Sequence, residues 1–540
     1  MGSGFGGSVA ALRLAEKGYD VGMLECGRRF ADKDFATSTA RQPARYFWRP
    51  FLGMKGIFRM TFFKDLVVLS GSGVGGGSLG YANTLYRARD KFFEDKQWNK
   101  LGDWKQELAR HYDTAEHMLG VTEVPIHQPA DDLILDLAKD FGKEETYTKT
   151  RVGVFFGQPG KTVEDPFFGG EGPARTGCTH CGSCMTGCVH GAKNTLVKNY
   201  LWFAEKLGVK IRPERTVTDV RPLPNADGDR DGSAGFEVES VTSGAWFRKN
   251  REIQRARGVV VAAGAYGTNL LLQNCVHNGS LPRLSPRLGE LVRTNSEAIL
   301  AVTRKDDEVD YTKSVAISSS FYPDENTHIE STIYGYGADS MSTSFTLLTG
   351  EGNKLTRPLK FIAGAVRHPI KLGRSLWPYH WARRTVILLV MQTLDNSIKF
   401  KPKRRLLSKG VKLTTEEDPE SPNPRFIPAA NKAAELAAAH IGGVAQSSIF
   451  EVLFNTPTTA HILGGVVIGS SSEDGVIDSH NRVFGYENFL VTDGSSMPAN
   501  PGVNPSLTIT AIAEHAMTAV PPKNGVRIQP PTVTVPVGTS

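Results

Sequence analysis

Acidic residues are missing from two long stretches of this chain. None occurs from Ala36 to Lys64, or from Arg357 to Arg384, where Arg and Lys alternate with Tyr, Phe and Trp. The first reads as a covering loop and helix whose aromatics face the core, or as a basic, aromatic lid set against anionic lipid. The second reads as a solvated helix pair covering the sheet, or as a membrane-facing or substrate-entry element. Long apolar runs are also missing. The best, Val386–Met391, has the length of a strand, so no bilayer-spanning helix is expected. Cysteine is scarce. Four of the six fall within Cys178–Cys188, which argues against a disulfide framework and for a reducing compartment. No leader is expected, because residues 1–24 already read as a folded unit. The cytoplasm, with peripheral membrane contact, is the expected location. A net charge of +7 over 540 residues is too small to imply a nucleic-acid partner, and no internal repeat is visible.

What is present is a nucleotide-binding pattern. Gly2-Ser3-Gly4-Phe5-Gly6-Gly7 reads G-x-G-x-x-G and opens an apolar helical run, and a short strand ending in Glu25 follows. Gly2, Gly4 and Gly7 let backbone N–H groups approach a pyrophosphate at a helix N-terminus, and Glu25 is placed to accept from a ribose hydroxyl. Only Met1 precedes Gly2, so the strand that ordinarily feeds such a turn is lacking. The expectation is an in-frame apolar run upstream of the present start. A true truncation would instead weaken cofactor retention.

Hydrophobic content of 40% and charged content of 22% are those of a globular enzyme with two or three domains. Residues 1–294 are expected to form a Rossmann-like domain carrying the lid and cysteine-rich insertions. An α+β substrate domain with an antiparallel sheet is expected over 295–450, on strands such as Ala298–Val302, His328–Ile333 and Thr385–Leu389. Residues 451–520 return to the first domain, and 521–540 read as a Pro/Thr/Val-rich tail. The glycine-dense run Gly71–Gly80 after the strand Leu66–Leu69 fits close backbone approach to a flat cofactor or its diphosphate better than a linker. Near the end, Leu490–Val491 is a buried strand leading to Asp493-Gly494, and Asn504-Pro505 opens the helix Leu507–Thr518. His461, followed by Ile-Leu-Gly-Gly, stands where neighbouring structure would fix it.

Together GSGFGG at 2–7, GVGGGSLGYAN at 73–83, VVVAAGAYGTNLLL at 259–272, HILGG at 461–465 and VTDGSSMPANPGVNPSLTITA at 491–511 carry a family resemblance. The chain resembles the glucose–methanol–choline (GMC) flavoprotein oxidoreductases, in their cholesterol oxidase-like branch. The resemblance implies extended FAD, with Gly2, Gly4 and Gly7 at the diphosphate and Glu25 at the adenine ribose. Val217 and Gly264 would border the adenosine half, Gly76, Gly77 and Asn83 would pass the flavin, and Asp493 and Gly494 would lie near the ribityl chain. His461 and Asn504 match the family positions that bind the substrate hydroxyl. A neutral His461 can take the hydroxyl proton while Asn504 orients the oxygen and steadies developing alkoxide. A sterol or other apolar alcohol is the implied substrate, and O2 or another acceptor the electron sink. In cholesterol oxidases a separate carboxylate isomerises the product. Glu330 and Glu351 are the acids available in the substrate domain, and neither is matched to that role.

Cys178-x2-Cys181-x2-Cys184-x3-Cys188 has the spacing of half a bacterial ferredoxin site. Val189 stands where proline is usual, and only Cys26 and Cys275 remain as remote fourth ligands. An iron–sulfur or zinc site and a turn of reduced structural thiols are both open. A cluster would make the enzyme a dehydrogenase of long-chain or other alcohols rather than an oxidase. A flavin-free lipid-binding relative is the third reading.

Overall fold

The computed structural model describes residues 1–405 and 410–525. The tail expected from Pro521 therefore lies, beyond Gly525, outside the described residues.

Apolar and small side chains bury most of the helix Phe5–Glu16, as Val9, Ala10, Ala11 and Leu12 show, leaving only Arg13 and Leu14 partly exposed. It lies against the helices Ser506–Thr518 and Tyr200–Lys206. Small residues permit this depth: a Cβ on Gly6 would sit 1.7 Å from the Thr492 carbonyl oxygen. Beside the helix, Gly22–Leu24 pairs in parallel with Lys210–Arg212, and Val259–Val261 pairs in parallel with Phe489–Val491. Among the described residues no strand joins the two pairs. The Met1–Gly2 backbone bridges them: the Met1 ammonium donates to the Val260 carbonyl at 2.8 Å, Ala262 N–H to the Met1 carbonyl at 2.8 Å, and Gly2 N–H to the Leu24 carbonyl at 2.7 Å. Burial pushes the Met1 amino group down to about 6. An antiparallel three-stranded sheet, Arg215–Pro222, Phe236–Thr242 and Glu252–Ala256, follows the first parallel pair.

The second sheet has seven antiparallel strands. Across it run Phe345–Leu347, Gly443–Ser448, Ala298–Arg304, Thr385–Gln392, Thr327–Thr332, Ser319–Phe321 and Thr148–Lys149. The last strand comes from well outside the stretch 295–450. Alternation along the strands divides the two faces. Leu300, Val302, Val386, Leu388 and Val390 pack beneath the helices Pro428–His440 and Pro129–Asp140, where each buried aliphatic contributes about 1.5–3 kcal/mol. Ile299, Ile387 and Leu389 point the other way, into a cavity between the two halves of the molecule.

The acid-free segment 36–64 holds a four-residue helix, Pro43–Tyr46, and a strand, Phe58–Phe62, paired with Val67–Gly71. Its aromatics divide. Tyr46 and Trp48 are buried, while Phe51 and Phe62 are exposed. Within the second acid-free segment, Thr356–Arg367 and Pro369–Leu376 form a helix pair. No described helix is long and apolar enough to cross a membrane.

Candidate active site

The cavity occupies about 610 Å³, within the usual range for small-molecule sites. Of the residues singled out from sequence, Gly4, Gly77, Gly264, Asp493, Gly494, His461 and Asn504 all border it. Gly2, Gly7, Glu25, Gly76, Asn83 and Val217 do not line it. A Cβ on Gly76 would lie 2.6 Å from the Gly4 Cα, so the two glycine turns pack face to face. Val217 lies in the strand Arg215–Pro222, whose first N–H donates to the Glu25 carbonyl.

Three helix N-termini converge here, those of Phe5–Glu16, Gly264–His277 and Ser506–Thr518. None carries a side-chain cap or an acid in its first turn. Free N–H groups and aligned dipoles at the Phe5 and Ser506 ends suit an anionic ligand, while at the Gly264 end the Asp493 carboxylate already accepts from the first N–H. Gly4 leaves open space, since a Cβ there meets nothing nearer than the Gly76 Cα at 4.0 Å. Thr84 on the wall, and its neighbour Asn83 at φ 72°, are buried with side-chain polar atoms lacking a partner among the described residues. The two uncapped helix ends at Phe5 and Ser506, the open glycine and the orphaned polar atoms fit a flavin dinucleotide. Glu25 is already engaged by the chain. It accepts from Ser3 N–H at 3.0 Å, Ser3 Oγ at 2.7 Å and Gly27 N–H at 2.8 Å. Asp493 likewise accepts from Gly264 N–H and Ser495 N–H, each at 2.8 Å, and ties two wall segments together. Burial raises its carboxyl.

His461 follows the short strand Thr458–Thr459. Thr459 Oγ1 accepts from His461 N–H and donates to the Thr294 carbonyl, each at 2.9 Å, which fixes the backbone. The imidazole Nδ1 is hydrogen-bonded to Glu297, which is 2% exposed, and the other Glu297 oxygen accepts from Ala460 N–H. A carboxylate at Nδ1 places the proton on that nitrogen and leaves Nε2 as acceptor. Glu297 is held at a corner by Asn295 and Ser296, with left-handed φ of 58° and 46°. Such conformations cost on the order of 1 kcal/mol or more and persist where surrounding structure fixes them. Here Asn295 Nδ2 donates to the Val503 carbonyl at 3.0 Å, and Asn295 Oδ1 accepts from Gly502 N–H at 2.9 Å. The same corner therefore also fixes the loop bearing Asn504.

Asn504 Nδ2 donates to Glu330 at 3.3 Å, while Asn504 Oδ1 has no partner among the described residues. Burial pushes the Glu330 carboxyl up to about 8, which leaves it a neutral acid at pH 7. Glu351 is exposed in the loop before Thr356–Arg367 and takes no part in the cavity. Glu297 was not legible in the sequence, because no local pattern marks an acid that meets its histidine through a tertiary contact.

The metal-site reading of the cysteines finds no support in the structure. Among the described residues no group of three His, Cys, Asp or Glu could hold a metal ion. Cys178, Cys184 and Cys188 instead pack with Val124, Val152 and Ala192. Burial pushes the Cys178 thiol up to about 12 and Cys184 up to about 11. Cys26 and Cys275 sit in other elements, beside Ser72 and within Gly264–His277. Next to the run, Lys193 is buried with no carboxylate partner among the described residues. Its ammonium donates to the carbonyls of Leu79 at 3.0 Å, Tyr81 at 2.7 Å and Cys184 at 2.9 Å, clamping the cysteine loop to the glycine-rich turn. Sequence reasoning missed this residue as well.

The chain matches the GMC oxidoreductase models for the N-terminal part over residues 174–282 and for the C-terminal part over 407–513. It is 47% identical over 543 residues to a protein named cholesterol oxidase from Mycobacterium tuberculosis, covering 98% of this chain and 92% of that one. It is 46% identical to one of the same name from Acinetobacter baumannii, covering 97% and 94%. Among solved structures, pyridoxine 4-oxidase from Mesorbium loti shares the fold with a TM-score of 0.59 at 14% identity, over 96% of this chain and 97% of that one.

Proposed function

The chain belongs to the GMC oxidoreductase family, and from that premise we propose that it oxidises the hydroxyl of a bulky apolar alcohol. The proposed substrate is a 3β-hydroxysteroid such as cholesterol, with FAD as cofactor and O2 as electron acceptor. The observation that carries the reading is a Glu-held histidine and an amide set in a cavity whose wall is largely aliphatic and aromatic, with Ile299, Ile387, Leu389, Phe345 and Phe450 among its residues. The two relatives named cholesterol oxidase support the steroid assignment. Such an alcohol resides in bilayers, so peripheral membrane contact belongs to the same reading.

FAD, when bound, would supply the acceptor for a hydride leaving the alcohol carbon. The glycine turns and the helix N-termini at Phe5 and Ser506 would hold its diphosphate and ring edge. His461 Nε2 takes the hydroxyl proton, and Glu297 stabilises the imidazolium that results. Asn504 sets its amide against the substrate oxygen, and neutral Glu330 fixes the plane of that amide. The aliphatic wall keeps water from the reacting carbon and grips the ring system. The cradle at Gly4 and Thr84 favours this enzyme over a flavin-free lipid-binding relative.

The test is spectroscopic. Purified holoenzyme made anaerobic loses its yellow flavin band on adding cholesterol, and on readmitting air it regains colour and yields hydrogen peroxide. A bound flavin that no sterol bleaches sinks the steroid reading.

A further inference from the structure

We infer that the helix pair Thr356–Arg367 and Pro369–Leu376 docks this protein on the surface of an anionic phospholipid bilayer, with the cavity rim against the lipid. This deepens the membrane contact proposed above, and its test does not depend on the substrate.

Leu355, Leu359, Ile362 and Val366 follow one another at helical spacing and are 55–77% exposed. An amphipathic helix normally turns that face inward. Here the inward face is fixed by other means. Arg357, 1% exposed, donates to Glu451 and Asn455 and to the Arg425 carbonyl. The apolar stripe is thus held outward by a buried ion pair. Ile370, Trp377 and Tyr379 extend it, each at least 60% exposed. A scattered exposed leucine needs no explanation, but a contiguous stripe with Trp and Tyr at its end has the composition of an interfacial surface.

The stripe reaches the cavity. Thr356–Arg367 packs on the helix Ile449–Phe454, whose Leu453 and Phe454 are also exposed. Phe450 of that helix lines the cavity and meets Phe62, another lining residue that is 56% exposed, with ring centroids 5.5 Å apart.

Charge selects the occupant. No acid occurs from Gly352 to Leu394. Lys354, Arg367, Lys371 and Arg374 form no ion pair among the described residues. A second copy would set the same basic face against itself, whereas anionic headgroups complement it and the apolar stripe enters the acyl boundary.

Holoenzyme is floated with sterol-free vesicles of phosphatidylcholine alone or mixed with phosphatidylglycerol, at low and high salt. Wild type should partition about tenfold more onto the anionic vesicles, and salt should weaken this. Ile362→Asp with Val366→Asp, and separately Arg367→Glu with Lys371→Glu, should each lower binding about tenfold. Both variants should turn over detergent-solubilised alcohol within about twofold of wild type, since none of the four side chains lines the cavity. Equal binding to both lipids, or no binding, overturns the inference, as does undiminished binding by the variants. A dimer that the variants dissociate, without vesicle binding, assigns the face to a second copy and also overturns it. If no sterol is oxidised yet the anionic vesicles are bound, the substrate reading fails and the docking face stands.

Discussion

Glu297 grips the Nδ1 edge of His461 from 164 positions away in the chain. The pair makes the imidazole a base of fixed tautomer, so the two residues should fail differently. His461→Ala should lower kcat by roughly 10²–10⁴-fold with FAD still bound. Glu297→Gln keeps the shape but removes the charge that stabilises the imidazolium, and should cost about 10²-fold in kcat with little change in KM. Steady-state kinetics with the flavin spectrum as a loading control decides, and unchanged turnover in either variant would refute the assigned role.

Glu330 should make stability depend on pH. Its carboxyl is raised from the ordinary 4.5 to about 8, so between those values the folded state binds more protons than the unfolded one. Stability from this group is intact below about 4.5 and is lost progressively as pH rises through about 8, by a few kcal/mol in order of magnitude. Glu330→Gln removes that slope. Thermal melts from pH 5 to pH 9 should therefore show the variant gaining on wild type as pH rises, and a constant gap contradicts the assignment.

Lys193 carries the opposite slope. Burial pushes its ammonium from the ordinary 10.5 down to about 7, so above pH 7 the unfolded chain holds the proton more tightly and stability rises with pH. Lys193→Met leaves three carbonyls without their donor, at about 1–3 kcal/mol for each buried unsatisfied group. It should melt lower and release FAD faster, because the Leu79–Tyr81 segment loses its clamp. Equal melting temperature and FAD release would show the clamp to be idle.

The glycines separate folding from cofactor binding. Gly6→Ala drives a methyl into the Thr492 carbonyl and should yield no folded protein, whereas Gly4→Ala meets only open space and should fold with weakened FAD retention. Circular dichroism and FAD titration of the two variants check this. A Gly4→Ala variant that binds FAD as tightly as wild type removes Gly4 from the cradle.

The cysteine run should hold no metal. Iron, zinc and sulfide assays on anaerobically purified protein should come out far below one per chain. Thiol titration should find Cys178 and Cys184 slow when native and all six thiols reactive after denaturation. Stoichiometric iron would restore the dehydrogenase reading.

Local patterns carried much of this fold into view. The glycine turn, the helix Phe5–Glu16, the strand before Asp493 and the alternation in Ala298–Arg304 and Thr385–Gln392 are period and turn signals that depend on nearby residues alone. What stayed hidden is tertiary. Thr148–Lys149 completes a sheet whose next strand is Ser319–Phe321, and no periodicity encodes that partnership. Glu297 and Lys193 act through contacts with residues far along the chain. The cysteines mark the same limit: spacing sets which thiols could converge, while the packing of the loop decides whether they do.

Thr84 on the cavity wall and its neighbour Asn83 carry buried polar atoms that no described residue satisfies. A ligand that pairs them binds the native state and not the unfolded one, so FAD acts as part of the folding equilibrium and adds about 2.7 kcal/mol when present at a hundred times its Kd. Cellular abundance of this protein then follows flavin supply. Chains made when the cofactor is short open more often and are degraded first, so the pool is thinned before it fills with inactive enzyme.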